Sequence, residues 1–435
     1  MRPLFATTLL LFILANKISA QDSLSLTLEE VVAIALGSNV DVNVSVFRVE
    51  SAEFGVKEAA GNYLPRLTLN GTYNRNIDKQ VIFLPETFGG GPTRIGLNNN
   101  FSTSLDLTLP IYSQANHTNK AYTGRNRDLA KENSRGTKQS VVNNIRKSYY
   151  QAVAAYETIH VRQKALANAI ENSSNVEERL ANGLATEFDR ASARVKVKVA
   201  QNELLNAERE AELRANSLKV AAGIDVGTRV KLLDSLTLTG EERSFTGEEE
   251  SISLNSSLRQ TLLQEMVAKQ QVNATKASYF PTLSVVGSYQ YQSQQNDFNF
   301  DNYRWVKTSY LGLKLQVPLF NGMVTRNKVQ QAVFSQKIAR LQNEYTERNV
   351  ESKLKEVLTQ LQYSKEKIAL QKENVAVSEK ALELTKERFN FGKGTFIEIS
   401  SGELDLVSAR LNYLQAILEF KTAYYDYLLL TGREN

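Results

Sequence analysis

One pattern occurs twice in this chain and constrains everything else in it. Residues 61–73 read Gly61-Asn62-Tyr63-Leu64-Pro65-Arg66-Leu67-Thr68-Leu69-Asn70-Gly71-Thr72-Tyr73. Residues 277–289 read Ala277-Ser278-Tyr279-Phe280-Pro281-Thr282-Leu283-Ser284-Val285-Val286-Gly287-Ser288-Tyr289. Each is a helix end, a Tyr-x-Pro break and an alternating strand, and Pro281 lies 216 positions beyond Pro65. Leu107-Thr108-Leu109-Pro110-Ile111-Tyr112 is answered 208 positions later by Leu315-Gln316-Val317-Pro318-Leu319-Phe320. Glu178-Arg179-Leu180-Ala181-Asn182-Gly183 is answered 209 positions later by Glu387-Arg388-Phe389-Asn390-Phe391-Gly392, and Ala221-Ala222-Gly223 by Leu430-Thr431-Gly432 at the same offset. The offset changes only between the two prolines of each copy, so the hairpin loops there differ in length. A long internal repeat sets the domain organisation before any local reading. It favours two similar halves over the two or three unrelated domains that 435 residues could hold.

Composition removes several classes of function. There are no cysteines, which excludes disulfides, cysteine metal sites and an N-terminal lipid-anchored cysteine. The net charge is +5, and Arg2 and Lys17 contribute two of it, so nothing points to nucleic acid. Residues 1–20 have the form of a secretory signal: Arg2, an apolar run from Leu4 to Ala15, and small residues at Ser19-Ala20. Read instead as a membrane anchor, that run is short. No later stretch approaches the ~20 apolar residues of a spanning helix.

The first half, residues 21–223, is expected to hold a helix, a hairpin at about 66–109, a long helix at about 113–182 and a return helix at about 187–222. Residues 224–252 form a mixed segment. The second half, 253–435, repeats the order with a hairpin at 282–317, a long helix at 322–391 and a return helix at 397–430. Thr27-Leu28-Glu29-Glu30 is a capping box opening the first helix. In the hairpins, Leu67, Leu69, Gly71 and Tyr73 alternate with Thr68, Asn70 and Thr72; Phe101, Leu105, Leu107 and Leu109 alternate with Ser102, Ser104, Asp106 and Thr108. Leu283, Val285, Tyr289 and Tyr291 alternate with Thr282, Ser284, Ser288 and Gln290; Leu311, Leu313, Leu315 and Val317 alternate with Gly312, Lys314 and Gln316. Period-2 alternation gives each strand one apolar and one wet face. Strands of about nine or ten residues suit a tilted membrane crossing, although one hairpin alone would equally fit a soluble sheet with one face on a core. Asn74–Asn100 and Gln292–Arg304 read as exposed loops. Tyr73, Tyr289, Tyr291, Tyr303 and Trp305 cluster at the loop ends, as an interfacial girdle does.

The long helices contain no proline, and at 1.5 Å per residue each of roughly 70 residues runs on the order of 100 Å. Leu354, Leu361, Ile368, Val375, Leu382 and Phe389 recur every seven residues, and Ile145, Ala152, Ile159, Leu166, Ser173 and Leu180 occupy the matching places. That is a coiled-coil seam. Each long helix stops at a glycine, Gly183 or Gly392, the residue suited to a left-handed C-terminal position.

Four strands cannot close a barrel, and an open sheet edge cannot sit in lipid. If these strands cross a membrane, the chain must self-associate: two copies give 8 strands and three give 12. With these motifs in order, the sequence resembles the TolC-type outer-membrane efflux proteins of Gram-negative bacteria over essentially all of residues 21–435. The resemblance implies an α+β membrane protein. Four transmembrane strands per chain contribute to a trimeric 12-stranded β-barrel, continued by a long antiparallel α-helical coiled-coil barrel in the periplasm. Residues 224–250 and the stretch Gln21–Leu28 fall in its equatorial belt. The implied function is a passive export duct of a tripartite efflux pump, gated at its periplasmic helix tips. The implied partners are a homotrimer, a periplasmic adaptor, an inner-membrane transporter such as an RND-type pump, and outer-membrane lipid, with no cofactor.

The family also implies site residues. Pro65, Pro110, Pro281 and Pro318 are the helix-to-barrel junctions. Acids six and nine positions after the second tip glycine line the closed aperture in the family; here these are Glu398 and Ser401, so only the first is acidic. The first-half acid matches Asp189. The family tyrosine three before the second tip glycine is Phe389, without a hydroxyl, and the arginine two after it is Gly394, with Lys393 adjacent. The closing bonds must therefore differ, and a Lys393 pair with Asp189 or Glu187 is one substitute. Rings of like charge focus a field, while an acid in the first turn of a helix is also favourable simply through the helix dipole. Asn182, Gly183 and Leu184 with Phe391, Gly392 and Lys393 are the tip positions an adaptor would meet, helix against groove.

Enzymatic readings find no support. His117 and His160 belong to no metal-spacing motif, and neither a nucleophile elbow nor a phosphate loop is present. Met266 and Met323 are the only methionines beyond the signal, so a chelating metal relay is not expected in the duct. A type I protein secretion duct of the same fold and a non-conducting periplasmic coiled-coil scaffold are the alternatives.

Overall fold

The computed structural model describes residues 24–240, Glu242 and 251–433. The expected signal at 1–20, residues 21–23 and the acidic run Glu248–Glu250 lie outside the described residues. In chain order the elements are β1 (Leu24–Leu26), α1 (Leu28–Ser38), α2 (Val40–Gly61), β2 (Arg66–Arg75), β3 (Gln80–Leu84), β4 (Gly91–Ile95), β5 (Asn99–Ser113), α3 (Gln114–Ala181) and α4 (Glu187–Ala222). There follow β6 (Val230–Leu232), α5 (Ser256–Lys276), β7 (Thr282–Gln295), β8 (Val306–Gln316), α6 (Val324–Asn390) and α7 (Phe396–Thr431). Two compact units form, and each draws on both halves of the chain. Among the described residues, one takes 24–43, 138–240 with Glu242, and 355–429; the other takes 44–137, 251–354 and 430–433.

The second of these units holds an antiparallel sheet of order β2-β5-β7-β8. Its register pairs Leu67 with Leu107, Leu69 with Leu105, Leu109 with Val285 and Val285 with Leu313. Residues directly opposite share a face, so the leucines of all four strands make one continuous apolar face. Gly287 leaves room on it for Leu311, whose Cδ1 would lie 3.3 Å from a Cβ at that position. The apolar face is open: Leu69 is 74% exposed and Leu313 70%. Tyr73, Tyr289 and Tyr291 continue it toward the loops. The opposite face carries Thr68, Asn70, Ser104, Asp106, Thr108, Ser284 and Ser288. β2 and β8 are the two edges. Among the described residues no single helix is long and apolar enough to cross a membrane.

Two details depart from the sequence expectation. The stretch Asn74–Asn100 is not simply a loop: β3 and β4 pair as a second hairpin, with Phe83 opposite Pro92. Gly89, Gly90 and Gly91 take positive φ in its turn, where a side chain would be strained. The junction prolines are also unequal. β5 runs through Pro110 to Ser113, whereas β8 ends at Gln316, before Pro318. Pro110 is tolerated because the β2 ladder stops at Thr108 and the β5–β7 pairing is irregular between Pro110 and Tyr112.

The other unit is mostly helical. Thr27 caps α1 as expected, its N–H donating to Glu30 Oε2 at 2.8 Å while Glu30 N–H donates to Thr27 Oγ1 at 3.4 Å. β1 and β6 form a short parallel pair. Asn39 Nδ2 donates to Ala221 O at 3.0 Å and Ser38 Oγ to Ala222 O at 2.9 Å, tying α1 to the end of α4. Beside this pair Lys421 and Glu242 are buried together. Lys421 Nζ donates to both Glu242 carboxylate oxygens at 2.8 Å and sits 4.1 Å from the Tyr150 ring centre.

The heptad seam of α6 is buried at Leu354, Leu361, Leu382 and Phe389. The matching seam of α3 is buried at Ile145 and Ala152, but nearer the tip Ala169, Asn172 and Val176 are the buried residues instead of Leu166, Ser173 and Leu180. Ser173 interrupts the apolar row, and the row through Ala169 and Val176, also seven apart, takes over.

Candidate functional site at the helix tips

The two tips are built alike. At the first, Gly183 has φ 74°, its N–H donates to Leu180 O at 3.0 Å, and Leu184 N–H donates to Arg179 O at 2.8 Å. At the second, Gly392 has φ 73°, its N–H donates to Phe389 O at 2.9 Å, and Lys393 N–H donates to Arg388 O at 2.8 Å. These left-handed turns satisfy the last carbonyls of α3 and α6 and reverse the chain.

The candidate aperture acids open the return helices. Thr186 N–H donates to Asp189 Oδ2 at 3.0 Å, and Asp189 N–H donates back to Thr186 Oγ1 at 3.1 Å. Thr395 N–H donates to Glu398 Oε2 at 3.1 Å, and Glu398 N–H donates back to Thr395 Oγ1 at 3.3 Å. Both acids therefore close capping boxes, a signal present in the sequence as Thr-x-x-Asp/Glu. The two roles are compatible, because Glu398 remains exposed and Asp189 is only half-buried. Glu187 pairs with Arg190 at 2.6 Å. Lys393 is exposed, and within the chain it is brought to neither Asp189 nor Glu187. Ser401 is exposed on α7.

Gly394 explains the missing arginine. A Cβ there would lie 3.0 Å from Phe389 N and 3.1 Å from Glu398 Oε2. The turn into α7 is packed closely against the end of α6, so a side chain at that position would need its neighbours to give by a few tenths of an ångström.

Contacts that the sequence did not reveal hold the two helical hairpins together. Val176, Ala193, Leu382, Phe389, Phe396, Ile399 and Leu406 form one buried cluster drawn from all four helices. The Arg179 guanidinium lies 4.3 Å from the Phe389 ring centre, a cation–π contact, and Arg179 Nε has no hydrogen-bond partner among the described residues. Phe389, which has no hydroxyl to donate, thus meets a cation through its ring face. Deeper in, Asn172 Nδ2 donates to Glu403 Oε1 at 2.6 Å, and Lys386 Nζ lies 3.7 Å from the same oxygen. A cleft of about 300 Å³ beside this bond runs between Ala165, Val199, Leu406 and Leu411.

Burial pushes the Glu403 carboxyl above the usual carboxylate range, only partly offset by Asn172 and Lys386, with Glu171 adding to the rise. A carboxyl whose folded value is raised binds protons more tightly in the folded chain than in the unfolded one. Its penalty is present at neutral pH and lifts as pH falls through the raised value. The tips are therefore expected to exchange backbone hydrogens more slowly at pH 5 than at pH 7, after correction for intrinsic rates. Glu403→Gln is expected to remove most of that difference in residues 165–180 and 396–410. Faster corrected exchange at pH 5 in the unsubstituted protein would contradict this assignment.

A family model described as outer membrane efflux protein matches residues 31–224 and 249–433. The outer membrane protein TolC of Vibrio cholerae is 21% identical over 394 residues, covering 89% of this chain and 84% of that protein. The cation efflux system protein CusC of Escherichia coli K12 is 20% identical over 399 residues, covering 88% of this chain and 83% of that protein. The solved structure of the outer membrane protein VceC of Vibrio cholerae superposes with a TM-score of 0.74 at 18% identity, over 93% of this chain and 96% of that one. These relatives are by name outer-membrane and cation efflux proteins, and the fold is theirs. With both matched segments together spanning most of its length, the chain belongs to the outer membrane efflux protein family.

Proposed function

We propose that three copies of this chain close a 12-stranded outer-membrane barrel and form a passive export duct, shut at the periplasmic helix tips. One observation carries the reading. The sheet has a single open apolar face, and among the described residues the outer edges of β2 and β8 are unpaired. Such a face suits lipid, and such edges need partners there. The edge β2 of one copy then pairs with the edge β8 of the next, which leaves no free edge after three copies. The two halves of the sequence supply equivalent parts: a hairpin to the barrel, and a long helix with its return helix to the tunnel.

The test uses the absence of cysteine from the sequence. Asn70→Cys in β2 is combined in turn with cysteine at Thr308, Tyr310, Gly312 or Lys314 in β8, all on the polar face. On oxidation, at least one pair is expected to give a cross-linked ladder that ends at three chains. A ladder ending at two or four, or no inter-chain product from any pair, would overturn the trimer.

At the tips, Glu398 and Asp189 would line the closed aperture, with Glu187, Ser401, Lys393 and Phe389 around it. The Asn172–Glu403 bond and the Arg179–Phe389 contact tie the two hairpins together in the closed state. Leu184 and Phe391 support an adaptor-docking role, since they are 68% and 80% exposed beside the two tip glycines. Together with Asn182, Gly183, Gly392 and Lys393 they would receive a helical hairpin of the adaptor. An inner-membrane transporter would supply the energy. CusC is by name a cation efflux protein; here His117, His160, Met266 and Met323 are too few and too scattered to relay a chelated metal, so cargo selection is assigned to the pump.

A further inference from the structure

On the polar face of the sheet, the four strands carry three charged residues: Arg66 on β2, Asp106 on β5 and Lys314 on β8. Asp106 is the eighth of the fifteen residues of β5, at its middle. Its carboxylate is held by donors from three strands. Asn70 Nδ2 donates at 2.7 Å and Ser104 Oγ at 2.8 Å to Oδ2, and Ser288 Oγ donates at 2.6 Å to Oδ1. All three donors are neutral. Hydroxyls and an amide solvate the negative charge and fix its direction without cancelling it. Among the described residues no lysine or arginine pairs with it. Arg66 and Lys314 lie closer to the proline junctions, opposite Thr108 and Ser284.

The three bonds also tie β2, β5 and β7 together, but that by itself does not call for a charge. A serine or threonine at 106 would match its neighbours Ser102, Ser104 and Thr108. Three donors turned onto one half-exposed carboxylate form a preorganised acceptor for positive charge. We infer that Asp106 is a second selectivity element of the duct, a ring of three carboxylates midway along the barrel lumen that favours hydrated cations. It is separate from the acids at the helix tips. The inference rests on the barrel reading above, in which the polar face lines the lumen. The two basic side chains of the same face make the effect of losing Asp106 larger, because only positive charge then remains on the lumen wall.

The test is the reversal potential of purified protein in planar bilayers under a potassium chloride gradient. Asp106→Asn is expected to lower the potassium-to-chloride permeability ratio by about twofold or more. In Asp106→Cys, the only cysteine in the chain, a sulfonate-bearing thiol reagent is expected to restore cation preference and a trimethylammonium-bearing one to drive it toward anions. Both measurements come from one folded preparation, so a folding defect cannot mimic the result. A ratio that stays unchanged in Asp106→Asn and does not follow the charge of the label would overturn the ring while leaving the duct intact. Absence of any pore in the unsubstituted protein would instead remove the barrel reading and the ring with it.

Discussion

Replacing Lys421 by methionine is expected to cost about 3–5 kcal/mol of stability, the largest single effect on the helical unit. Lys421 and Glu242 are 1% and 2% exposed, and no water replaces a lost partner cheaply at that depth. Burial already pulls the Lys421 ammonium below its ordinary range, against the pull of Glu242. Removing it strands a buried carboxylate, which can escape only by taking up a proton or by opening the structure. Glu242 also accepts from Thr239 N–H at 2.6 Å, so its movement would loosen the stretch it anchors. The double variant Lys421→Met with Glu242→Leu leaves no orphan charge and is expected to recover most of the loss. Thermal unfolding followed by helix circular dichroism measures both. Equal destabilisation in the single and double variants would show that packing, not the charge pair, is at stake.

The second large effect is predicted on the sheet. Leu107 and Thr108 are adjacent in β5 and point to opposite faces. In the proposed barrel, arginine at Leu107 would place a charge among leucines turned to lipid, at a cost of about 2–4 kcal/mol near the bilayer midplane. Arginine at Thr108 would enter the polar face, near Arg66, and is expected to be tolerated far better. The fraction of folded oligomer recovered from outer membranes, read by heat-modifiable gel mobility, separates the two. Comparable yields would mean that the apolar face is not in lipid.

Much of the sheet was legible because period 2 is rigid: once Leu67 and Leu69 share a face, the register carries Leu105, Leu107, Val285 and Leu313 with them. The tip turns were legible for a similar local reason, since glycine alone takes φ near 70° there without strain. The β3–β4 hairpin was missed because its glycine run resembles a loop and its strand Gln80–Leu84 is too short to show alternation. The capping boxes at Thr186 and Thr395 are legible as Thr-x-x-Asp/Glu, a local pattern that does not conflict with an aperture role for the same acids. The Asn172–Glu403 bond could not be read at all. Its partners are 231 residues apart, and no periodicity encodes which polar residue of one hairpin meets which of the other. Ser173, which interrupts the α3 seam, was the one visible sign that the packing changes there.

Single-channel conductance in planar bilayers tests the central claim most directly, with the unsubstituted protein, Glu398→Gln and Asn172→Ala side by side. Glutamine at 398 removes the charge while keeping a capping side chain. Asn172→Ala removes the bond between the hairpins and leaves the tip acids in place. The expected result is small, discrete, cation-preferring openings in the unsubstituted protein, weaker cation preference in Glu398→Gln, and wider or more frequent openings in Asn172→Ala. A well-folded, membrane-inserted oligomer that passes no current in any of the three would contradict the duct and leave a non-conducting scaffold in its place.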